Sequence, residues 1–109
     1  MDARARYDEI CDDLVARNPG AQLSQMMGMP CVKADGKLIA GWVQSEEAMV
    51  FKLPDDAAHA AALALDGSHL FDPGGKGRPF KEWVVVQAAH ASAWPQFAHQ
   101  ALASRNAAT

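Results

Sequence analysis

Histidines, cysteines, serines and paired carboxylates are the side chains from which this sequence could build chemistry, and their spacing argues against each use in turn. His59, His69, His90 and His99 share no metal-ligand interval, and neither HExxH nor CxxC is present. No metal or cofactor site is expected. Asp12-Asp13, Glu46-Glu47 and Asp55-Asp56 are carboxylates adjacent in sequence. Adjacent residues on a helix do not face each other, so none of these is an acid/base pair by itself. Ser24, Ser45, Ser68 and Ser92 fall at turns or helix starts, where hydroxyls bond the backbone, and no GxSxG elbow exists. The expectation is a protein without catalytic residues.

Basic side chains leave one candidate. The stretch Gly74-Gly75-Lys76-Gly77-Arg78-Pro79 fails the phosphate-loop pattern, because no GK[ST] opens a helix. It fails GxGxxG as well, with Phe80 standing where the third glycine belongs. Glycine backbones beside Lys76, Arg78 and Lys81 would nevertheless suit a small anion-binding nest. The plainer reading, which we favour, is a turn whose basic side chains keep it solvated. Lys33 and Lys52 lie on expected strands and would join a basic patch only if they shared a sheet face with Lys81. These five residues are the candidate contacts for an anion or nucleic acid.

The elements that must position them follow from periodicity. Asp2 caps a first helix reaching about Asn18, with Tyr7, Ile10, Cys11, Leu14 and Val15 on one stripe. A polar link leads to Met26-Met27-Gly28-Met29-Pro30, a methionine cluster that reads as gap-filling core. Next come strands Cys31 to Ala34 and Lys37 to Gln44, joined by the hairpin pair Asp35-Gly36. In the strand from Ala48 to Leu53, Met49, Phe51 and Leu53 alternate with Ala48, Val50 and Lys52. That pattern puts one face in the core. A helix opens at Pro54-Asp55-Asp56 and closes at Asp66-Gly67. Strands are expected near Ser68 to Phe71 and Phe80 to Gln87. A last helix from about Ser92 carries Trp94, Phe97, Ala98, Ala101 and Leu102 on one stripe. The order is α-β-β-β-α-β-β-α, an α+β two-layer sandwich on an antiparallel sheet.

A chain of 109 residues fits one domain, with a core from about residue 7 to 102 and a tail from 104 to 109 that frays. Half of it is apolar, yet much of that half is alanine, so pairing with a second copy would add stability. The net charge of −3 supplies no general attraction to phosphate, which disfavours nucleic acid as a partner. Cys11 and Cys31 read as buried thiols in a reducing compartment. The start MDARARYDEI has no apolar signal region, and no apolar run approaches a membrane span, so the expected location is cytoplasmic.

Taken in order, Met26 to Gly28, Asp35 to Lys37, Phe51 to Leu53, Phe71, Gly75 to Pro79 and Trp83 make the chain resemble the TfoX/Sxy N-terminal domain family. The resemblance covers about Tyr7 to Leu102, and YjbR/MmcQ-like domains share its layout. Where the family commonly carries Met-Phe-Gly, this chain has Met26-Met27-Gly28. The resemblance implies a two-layer sandwich like that of secretion chaperones, with no catalytic residues. The expected role is that of an interaction or regulatory domain acting by protein binding, with nucleic-acid binding through the basic loop as the alternative, and the alanine-rich core makes a homodimer the expected assembly.

Overall fold

Two successive pairs of left-handed residues shape the first half of the sheet. The structure is a computed structural model and describes residues 2–75, 77 and 79–107. Asp35 and Gly36 have φ of 53° and 81°, the signature of a type I′ turn, and join β2 (Met29–Ala34) to β3 (Lys37–Val43). Met27 and Gly28 repeat it at 50° and 80°, joining β1 (Ala21–Met26) to β2. Gln44 to Glu47 then turn the chain into β4 (Ala48–Lys52), with Glu47 also left-handed.

The helices start where side-chain oxygens can cap them. Asp2 accepts the Ala5 N–H at 2.7 Å and begins α1 (Ala3–Arg17). Asp55 accepts the Ala58 N–H at 2.9 Å and begins α2 (Asp56–Leu63). Two further strands follow, β5 (His69–Phe71) and β6 (Phe80–Val86), then a 3-10 segment, Ala88–Ala93. The last helix, α3 (Trp94–Ala107), tolerates Pro95 because it lies in the first turn. It continues into the tail that the sequence reading expected to fray.

The sheet has six antiparallel strands in the order β1-β2-β3-β4-β6-β5. This is the expected α+β sandwich with one strand more than expected. Ala21 to Met26 read as a polar link because Gln22, Ser24 and Gln25 interrupt any apolar alternation. An edge strand can be polar, since only one neighbour and part of one face require it to be otherwise.

Cross-strand pairing brings one row of side chains under the helices. Leu23, Val32, Ala40, Phe51, Val84 and Leu70 are successive partners across all six strands. Val32, Ala40, Phe51 and Val84 are at most 1% exposed. Over them lie Tyr7, Ile10, Cys11 and Leu14 from α1, Ala58 and Ala62 from α2, and Trp94, Phe97, Ala98, Ala101 and Leu102 from α3. The expected stripes on the first and last helices are therefore the ones that pack. Trp94 also donates its indole N–H to the Val86 carbonyl at 3.1 Å.

The other face departs from expectation. Alternation placed Ala48 and Val50 outside the core, yet both are fully buried. With Val43, Phe71 and Val85 they form a second cluster, against which Met26, Met29 and Trp83 pack. Met29 to Pro30 and Phe71 wall a single groove of about 290 Å³, together with Met27, Val43 and Pro73. In a flat sheet β2 and β5 would stand about 19 Å apart at four strand spacings. The sheet must therefore coil so that its two sides approach over β3 and β4.

Gly41 lies at the floor of that coil. A Cβ there would stand 2.7 Å from Met29 Cε, 3.2 Å from the Pro30 carbonyl oxygen and 3.3 Å from Val50 Cγ1. The methionine tip can move, but the backbone oxygen and the packed valine cannot. Gly41→Ala is expected to lower stability by about 1–3 kcal/mol, read as a fall in the urea midpoint at unchanged slope.

Candidate functional site

Three of the five basic candidates, Lys33, Lys52 and Lys81, lie among the described residues. Lys33 pairs with Gln22 and Leu38, and Lys52 pairs with Trp83, which puts both lysines on the face away from the helices. Strand β3 lies between them, so they stand about 10 Å apart at two strand spacings. Each is half-buried. Lys81 is exposed, and its carbonyl accepts a hydrogen bond from His59 Nε2 at 2.6 Å. Lys76 and Arg78 lie outside the described residues. Within the loop, the Gly77 N–H donates to Asp72 Oδ2 at 3.0 Å. A backbone donor that an anion nest would use is thus taken by the chain's own carboxylate.

On α1 the cations are matched by neighbouring acids. Arg4 pairs with Asp8 at 3.1 Å, Arg17 with Asp13 at 2.8 Å, and Arg6 with Glu9. Such exposed pairs one turn apart contribute only about 0.3–0.5 kcal/mol each to the helix. Arg4 also lies over the Tyr7 and Trp42 rings, 5.5 and 5.8 Å from their centroids.

Both cysteines are buried and free. Burial pushes the Cys11 thiol up to about 11, and burial raises Cys31 as well. A thiol held protonated is a poor nucleophile. Among the described residues, no three histidine, cysteine or acidic side chains gather where they could hold a metal ion. No helix of the described residues is long and apolar enough to cross a membrane.

One polar cluster was not legible in the sequence. His69, at the start of β5, directs Nε2 to Glu46 Oε1 at 2.7 Å and Nδ1 to the Leu70 carbonyl at 2.8 Å. Both partners are acceptors, so both ring nitrogens donate in the doubly protonated ring. Gln87, just past β6, donates to the same Glu46 oxygen at 2.9 Å and to the Gly67 carbonyl at 3.2 Å. The cluster ties the turn between β3 and β4 to the other side of the sheet. Its members are 23 and 41 positions from Glu46, and no local pattern links them.

What the surface does carry is apolar. Leu23 is 58% exposed and Met27 78%, both on the hairpin of β1 and β2. The methionine cluster is therefore split, with Met26 and Met29 packed and Met27 outward. Phe80 is 40% exposed beside Phe71 and Trp83, and the three rings have centroids 5.6–6.0 Å apart. No family model, curated protein or solved structure matches the chain.

The histidine cluster fixes a pH dependence. The hydrogen bond to Glu46 holds His69 above its ordinary 6.5, outweighing burial, and the Leu70 carbonyl adds to the rise. Burial alone would raise Glu46, but the bonds from His69 and Gln87 bring it below 4.5. A raised histidine stabilises the fold below its unfolded value and loses that contribution as pH rises through the folded one. A lowered carboxylate does the reverse, losing its contribution as pH falls through its folded value. The full contribution therefore spans about pH 4.5 to 6.5. Solvent exposure keeps it to roughly 0.2–1 kcal/mol. In a proton NMR titration the His69 ring should titrate above 6.5, and Glu46→Gln should bring it down.

Proposed function

We propose that this chain is a non-enzymatic interaction domain of the TfoX N-terminal type, acting in the cytoplasm by binding protein, with a second copy of itself among its partners. The observation that carries this reading is the character of the exposed surface. Its distinctive side chains are Leu23, Met27 and Phe80, apolar residues left in solvent on a sheet whose centre is covered on both faces. Leu23 and Met27 share one hairpin, and apolar side chains gathered on one surface are where protein partners dock.

Three features weigh against a nucleic-acid role. The α1 arginines are paired with acids, Lys33 and Lys52 have a strand between them, and Asp72 occupies a backbone donor of the glycine-rich loop. Binding to a phosphate backbone needs several cations acting together, each releasing counterions.

Fluorescence anisotropy with a mixed-sequence duplex at physiological salt tests the choice. Affinity is expected to be weaker than the roughly 10⁻⁴–10⁻⁶ M of ordinary non-specific DNA binders. A nuclease-treated pulldown from native lysate should retain its protein partners. Tight duplex binding that disappears when Lys76, Arg78 and Lys81 are changed to Ala would replace this reading with the nucleic-acid one.

A further inference from the structure

The two edges of the sheet differ. β5 has three residues, carries a register shift between Leu70 and Phe71, and runs into Asp72-Pro73. Short length, an irregularity and a proline are devices that keep an edge from pairing with another chain. β1 has none of them. Its six residues, Ala21 to Met26, stay in unbroken register with β2 and include no charge and no proline. Gln22, Leu23 and Gln25 are exposed along it. In an edge strand, alternate N–H and C=O groups point away from the sheet and seek partners, and in β1 the Ala21 N–H has one already in the Asn18 carbonyl at 2.9 Å.

We propose that β1 pairs antiparallel with β1 of a second copy, centred on Leu23, so that two six-stranded sheets become one. This rests on the reading of the chain as a protein-binding domain and names the surface. A strand paired antiparallel with itself lies on a two-fold axis perpendicular to the sheet, which leaves both sets of helices on the same side. Residues opposite each other must then share a face, so the permitted registers centre on a single residue. With Leu23 at the centre it meets its own copy, while Gln22 faces Ser24 and Ala21 faces Gln25.

The row that Leu23 ends calls for a second leucine. Leu23 is the outermost member of the apolar row running through Val32, Ala40, Phe51 and Val84, and it is the one left 58% exposed. A second Leu23 beside it continues that row into the other copy and covers both leucines. No like charges oppose one another, because the strand has no charge. One short edge and a leucine pair fall below the ~800 Å² per partner of a standard interface, so the complex is expected to be weak, on the order of micromolar.

Sedimentation velocity over roughly 1–100 μM should show the average mass rising from one chain toward two. Leu23→Lys sets two charges against each other and should weaken the dimer by at least about tenfold, given the ~1.4 kcal/mol per decade of affinity. Leu23→Cys should form an intermolecular disulfide under mild oxidant, while Leu63→Cys on α2 should not. The cross-linking pair decides the matter if the lysine variant proves unfolded by circular dichroism. A wild-type monomer throughout, or equal cross-linking at both positions, overturns the proposal. If the chain stays monomeric yet retains other proteins in the pulldown, the edge pairing falls and the protein-binding reading stands. If it dimerises through Leu23 but retains nothing else, the edge pairing stands alone.

Discussion

β4 lies inside the sheet with both faces buried, and the other elements are arranged by the need to cover it. Ala48, Met49, Val50 and Phe51 have no exposure at all. Burying a side chain such as valine, methionine or phenylalanine contributes about 1.5–3 kcal/mol, so leaving either face of this strand uncovered would be costly. Met49 and Phe51 are covered by helices, chiefly α3, whose Phe97 ring centroid lies 5.8 Å from that of Phe51. Ala48 and Val50 have no helix and are covered instead by the sheet's own flanks. The three helices cover one face, and coiling the sheet covers the other. The coil in turn requires Gly41, because a side chain there would hold Met29 and Pro30 off the centre.

That arrangement explains where polar groups go. With both sides of the central strands closed, hydrogen-bonding side chains are left to the rims and turns, and several are engaged there in structural contacts. His59 bonds the Lys81 carbonyl, His69 and Gln87 bond Glu46, and Asp72 bonds Gly77. Trp42 donates to Gln44 at 2.8 Å. His59, His69 and Glu46 are side chains weighed for chemistry in the sequence, and in the fold they join distant segments of chain.

Reading the sequence succeeded where a signal was local. The Asp35-Gly36 turn, the cap at Asp2, the opening of α2 at Asp55-Asp56, and the stripes on α1 and α3 are each encoded within a few residues. It failed where position is set by distant contacts. β1 has no apolar alternation, and its turn uses Met27, a side chain rarely found at positive φ, so neither the strand nor its turn announced itself. The second buried face was hidden because Ala48 and Val50 fit a solvent face as well as a covered one. Their cover comes from Met26 and Phe71, more than twenty positions away on either side. Of the basic candidates, the register placed Lys33 and Lys52 on one face, as the patch would need. It also put a strand between them, a fact that pairing alone supplies.

An antiparallel sheet that coils over itself cannot end symmetrically unless both its edges are treated alike, and here they are not. The β5 side curls in to supply Phe71 to the second cluster, and its irregular pairing with β6 follows from that bend. The β1 side contributes Met26 to the same cluster but keeps regular pairing along its whole length. Only the far end of β1 is needed for cover, so its middle keeps unbroken register with β2. Leu23 sits in that middle, 58% exposed, at the end of a row whose next four members are buried. The exposed leucine is thus a consequence of how the core is closed. That links the surface available for recognition to the burial of β4, and it is why the proposed function rests on strand and apolar contacts rather than on charge.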